Sequence, residues 1–100
     1  MSYESFAFDA TLAAAAGEDE ALFAELRASF VESVARQIDL LSRARCDGNW
    51  HIAAMRLKGL GAGFHAFPLI ALAEEALEAA PGDPVILARL AVFQASLTEG

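Results

Sequence analysis

Between Leu22 and Leu41 the apolar residues Leu22, Phe23, Leu26, Phe30, Val34, Ile38 and Leu41 return every three or four positions. A strand turns alternate residues to one face. Only a helix gathers this spacing into a single stripe that can be buried. Glu18-Asp19-Glu20 precedes the stripe and Arg36, Arg43 and Arg45 crowd its later part, the charge order that the helix dipole favours. The segment therefore predicts one helix of about 25 residues. Such a helix needs other apolar faces to pack against, because isolated helices are marginal in water.

The rest of the chain supplies those faces. Asp9 suits the N-cap of a short helix over Ala10–Ala16, which Gly17 stops. Cys46-Asp47-Gly48-Asn49 reads as a turn, followed by a third helix from Trp50 to Phe64. Pro68 fits the first turn of a fourth helix, Phe67–Ala80, with the apolar series Leu69, Leu72, Ala73, Ala76 and Leu77. In Pro81-Gly82-Asp83-Pro84, Gly82 stops that helix, Asp83 caps the next and Pro84 takes its first position, so the last helix covers Val85–Leu97. Ala and Leu dominate a 56% apolar chain in which β-branched residues are sparse, so helix prevails over strand. Four substantial amphipathic helices, joined by loops too short for a crossover, predict an all-α fold. Its form is an antiparallel up-down four-helix bundle with a short extra N-terminal helix, one domain over residues 1–100.

Charge and cysteine use narrow the function. Fourteen acidic residues against seven scattered basic ones argue against nucleic-acid binding. Cys46 is the only cysteine, so no internal disulfide can form, and a free thiol suits a reducing cytoplasm. Met1-Ser2-Tyr3-Glu4 lacks the basic start and long apolar run of a signal peptide, and no apolar run approaches the roughly 18 residues that span a bilayer. These features predict a soluble cytoplasmic protein without membrane contact.

The third helix carries the most information. With Met55 set at zero and about 100° per residue, Trp50, Ala53, Leu57, Leu60 and Phe64 fall around the opposite pole and form a core face. Gly48, His51, Met55, Gly59 and Ala62 cluster around zero, with Lys58 flanking, and point to solvent. A solvated face is ordinarily rich in Glu, Lys and Arg, whereas this one is small, apolar and nearly uncharged. Gly59 is costly inside a helix, so it suggests a close approach of another backbone. The face is either a docking surface for a partner or the seat of the first short helix.

Residues in and around this helix resemble the histidine-phosphotransfer (HPt) family. Ala54-Met55-Arg56-Leu57-Lys58-Gly59 is similar to the family's A-H-x-L-K-G signature, and Asp47-Gly48-Asn49-Trp50 is similar to the turn and Trp that lead into it. Phe30 matches an aromatic core position, and Leu69, Leu72, Leu77 and Glu78 fit the helix that follows. The resemblance spans roughly Asp9 to Leu97. In the family an exposed imidazole takes a phosphoryl group from an aspartyl phosphate on a receiver domain, with a lysine and a glycine beside it. Lys58 and Gly59 occupy those two positions, but the acceptor position holds Met55. A thioether has no ring nitrogen to phosphorylate, although methionine adapts well to contact surfaces. His65 stands where the family has Gly at the turn after the third helix, and a left-handed backbone is less comfortable for histidine.

The resemblance therefore implies a pseudo-HPt module, not an enzyme. It would dock a response-regulator receiver or a histidine kinase through His51, Met55, Lys58, Gly59 and Ala62, without cofactor or metal, as a monomer or weak homodimer. Two alternatives stand beside it: an active phosphotransfer protein using His51 as a relocated acceptor, and a helical bundle with an unrelated binding role. His51 lies one turn, about 6 Å, before the usual position. His65 suggests a dipole or packing role at the helix end. The two histidines lie roughly 20 Å apart along a continuous helix, too far to share a metal. Glu74, Glu75 and Glu78 read as a solvated stripe, and Gly59-x-Gly61-x-Gly63 follows no strand, so it is no dinucleotide loop.

Overall fold

The structure, a computed structural model, describes the backbone of residues 3–98 and the side chains of residues 8–98. Over that range the chain is all-helical: α1 Tyr3–Ala16, α2 Glu20–Arg43, α3 Asp47–Phe64, α4 Phe67–Leu77 and α5 Pro84–Leu97. The expected stripe is the core of α2, where Phe30, Val34, Ile38 and Leu41 are buried. Asp19 caps this helix, its side chain accepting from the Leu22 backbone N–H at 3.1 Å. Asp83 does the same for α5, accepting from the N–H groups of Val85 and Ile86, with Pro84 in the first position.

Three boundaries differ from the expectation. Asp9 is not an N-cap, because α1 begins at Tyr3. Phe8, Leu12 and Ala16 are all buried at four-residue steps, so one stripe runs back through Asp9 and carries the helix with it. Asp47, Gly48 and Asn49 belong to α3 and not to a turn. Cys46 is the extended residue before it, and Asp47 places a carboxylate in the first turn. Helix α4 ends at Leu77, three residues before the expected Ala80. Pro81 disfavours helical backbone at the residue before it, and the chain leaves through tight turns with Glu78 N–H on Glu75 O and Ala79 N–H on Ala76 O.

Helix α2 packs on α3, α3 on α4, α4 on α5 and α5 back on α2, so the four close a ring around one core. Leu41, Leu57, Leu69, Ile86 and Leu90 fill it, at least one from each of those helices. Arg27 of α2 donates to the Leu97 carbonyl at 2.5 Å, which ties the end of α5 to the first half of α2. Helix α1 lies mainly against α2 and caps one end of the ring. There Phe8, Phe30 and Phe64, one from each of the first three helices, meet with ring centroids 4.7 and 4.9 Å apart about Phe30. Among the described residues no helix is long and apolar enough to cross a membrane.

Candidate functional site: the outward face of α3

Helix α3 is held against α4 at both ends. Near its start the Trp50 indole Nε1–H donates to the Ala76 carbonyl at 2.7 Å, a second hydrogen bond to an oxygen that also accepts the Ala79 N–H. Near its finish Gly61 is buried. A Cβ there would stand 2.8 Å from Ile70 Cγ1 and 3.0 Å from Ile70 N, so only glycine allows the two backbones to approach this closely.

Immediately beyond, the helix stops on a non-glycine residue with positive φ. His65 has φ 54° and ψ 36°. Its N–H points at the Ala62 carbonyl at 3.4 Å, and the Ala66 N–H bonds to Gly61 O at 2.8 Å, the paired pattern that closes many helix ends. The left-handed backbone is the conformation in which histidine at this turn is uncomfortable. The ring is occupied: Nδ1 lies 2.6 Å from Thr11 Oγ1 of α1, and the Phe67 ring sits edge-on to it. His65 thus links α1 to the α3–α4 turn. His51 stands near the other end of α3, and no group of three or more His, Cys, Asp or Glu able to hold a metal occurs among the described residues.

Between these two anchors lies the face centred on Met55. Gly48, His51, Met55, Gly59 and Ala62 are exposed, Met55 at 45%. Helix α1 does not cover it. Its buried Phe8 meets Phe30 and Phe64 at the far end of α3, and the exposure of these five residues favours an open face over intramolecular cover. Lys58 is half-buried and turns aside to α4, its Nζ 3.4 Å from Glu74 Oε2. A pair this open to water contributes at most about 1 kcal/mol, so it is readily exchanged for another anionic partner. At Gly59 an added Cβ would face open space, with no described atom outside its own stretch of helix within 4 Å.

The core face differs in detail from the helical wheel. Trp50, Ala53 and Leu57 are buried as expected, but Ala54 and Gly61 join them, while Leu60 and Phe64 are only partly buried. The buried side is therefore rotated toward α4. That rotation lifts Ile52 (49% exposed) and Arg56 onto the outward surface beside α2, where Leu40 (44% exposed) adjoins them. Sequence reasoning missed these three. The signal available was the apolar Ile52 at a flank angle, which gains meaning only once the direction of α4 is known.

Chemically, this face offers an adaptable thioether, bare helix backbone at Gly59, one exposed imidazole at His51 and cations at its margins. It can bind, but at position 55 it holds no nucleophile. Comparison with family models, with curated proteins and with solved structures returns no match.

Proposed function

We propose that this chain is an HPt-like signalling module, an antiparallel up-down four-helix bundle with an added N-terminal helix. It docks a response-regulator receiver or a histidine kinase on the face around Met55 without accepting phosphate. The observation that carries the proposal is Gly59. It sits mid-helix at a cost of about 1 kcal/mol relative to Ala, yet among the described residues no packing contact requires the absence of a Cβ. A backbone left bare at the centre of an exposed, apolar, low-relief face is what a partner's close approach needs. Lys58, one residue away, supplies a cation whose present partner is weakly held. The exposed lone thiol of Cys46 suits a reducing compartment, so the module is assigned to the cytoplasm.

Incubation with phosphorylated receivers tests this. The expected result is binding without acid-labile, base-stable label, and binding weakened in Met55→Glu. Met55→His restores an imidazole at the exposed central position and is expected to become labelled. Label on the unaltered protein that vanishes in His51→Ala would establish the relocated-acceptor reading, which the exposure of His51 leaves open. Failure to bind any receiver or kinase of the same cell would leave a bundle with an unrelated role.

A further inference from the structure

The outward face continues sideways into a groove between α2 and α3. Two hollows form it and share Arg56. One is lined by Leu40, Arg43, Asn49 and Ile52, the other by Ser33, Arg36, Gln37 and Gly59 among others. From Ser33 to Arg43 is ten residues, so the groove runs about 15 Å along α2, three helical turns.

Its charge is opposite to that of the chain. The protein has fourteen acidic and seven basic residues, yet three of the seven cations line this groove and, among the described residues, no carboxylate does. Arg56 makes no ion pair among the described residues, and Arg36 and Arg43 have only exposed in-helix partners, Glu32 at 4.0 Å and Asp39 at 3.1 Å. Pairs of that kind hold their arginines weakly. The floor is apolar in both hollows, with Leu40 and Ile52 each nearly half exposed in one and the partly buried Leu60 and Phe64 in the other. Gln37 Oε1 is buried beside the groove without a hydrogen-bond partner among the described residues.

From this we infer that the α2/α3 groove receives an amphipathic helix of a partner protein that carries acidic side chains along its flanks. An apolar strip three turns long fits leucine-type anchors at i, i+3, i+4 and i+7, and the arginine rims select carboxylates by complementary charge. The inference rests on the docking reading above and adds the chemistry of the partner.

The probe is a phage-displayed library of three-turn helices with apolar anchors, its flanking positions randomised equally among Asp, Glu, Lys, Arg and Ser. Selection on the full protein is expected to enrich Asp and Glu at the flanks. The selected peptides should lose affinity about tenfold or more on Arg56→Glu or Arg43→Glu, where like charges meet, and on Ile52→Glu, each variant being checked for unchanged helicity. Binding should also weaken steeply as salt rises from about 50 to about 500 mM. Enrichment without acidic bias, an empty selection, or binders indifferent to Arg56→Glu would overturn the inference. So would a concentration-dependent dimer that Ile52→Glu breaks, because the occupant would then be a second copy. If receiver binding is lost in Met55→Glu but unaltered in Arg56→Glu, the docking reading stands and the acidic helix falls. If the library behaves as expected but no receiver or kinase binds, the reverse holds.

Discussion

At Gly61 an added methyl group would meet Ile70 Cγ1 at 2.8 Å, Ile70 N at 3.0 Å and the Ala66 carbonyl at 3.2 Å. Two of those three atoms are backbone and cannot step aside. Gly61→Ala is therefore expected to destabilise by about 1–3 kcal/mol, the range for overpacking, measured by urea denaturation. Gly59, two residues earlier, faces open space, and Gly59→Ala is expected to stabilise by about 0.5–1 kcal/mol through backbone entropy and helix propensity. The opposite signs separate a glycine the fold needs from one it does not. At His65 the left-handed backbone sets another ordering: His65→Gly should be more stable than His65→Ala by about 1 kcal/mol, because both lose the Thr11 contact but only alanine keeps the Cβ penalty. Gly59, Gly61 and Gly63 look alike in the sequence. What sorts them is the passage of α4 beside Gly61, a tertiary fact.

Helix ends follow the same division between local and distant causes. Asp83-Pro84 was legible because cap and first-turn chemistry act within three residues, and Asp83→Ala is expected to cost about 0.5–2 kcal/mol in thermal or denaturant unfolding by orphaning the Val85 and Ile86 N–H groups. Gly17 was legible for the same reason, with φ 67° at the stop of α1. Asp9 misled because its local preference for a cap is overridden by Phe8, whose ring is buried against Phe30. Asp47-Gly48-Asn49 misled likewise. These are turn-forming residues, but Trp50 N–H bonds to Cys46 O and its indole reaches Ala76, and both hold the first turn in helix.

For the whole molecule, the all-helical class and the exposure of His51, Met55, Gly59 and Ala62 could be read from periodicity alone, because a wheel needs only the core direction of one helix. The α2 side of the candidate site could not, since Leu40 and Ile52 become neighbours only when two helices are docked. The role of α1 was likewise hidden. Leu12 is fully buried where α1 meets the ring, so Leu12→Ala is expected to cost about 2–5 kcal/mol of global stability. It should also raise amide exchange first in α1 and at the His65 turn, which α1 reaches through Thr11.

The two attachments of α3 to α4 have a kinetic meaning. Trp50 and Gly61 are eleven residues apart, about 16 Å of helix, and Met55 stands between them like the middle of a beam fixed at both supports. Bending or sliding such a beam would break the indole bond or drive Ile70 into the Gly61 backbone. If a partner docks on the Met55 face as proposed, it would meet a surface that needs little rearrangement. Association should then run as a single concentration-dependent phase in stopped-flow, with no slow step of rearrangement on this side of the complex.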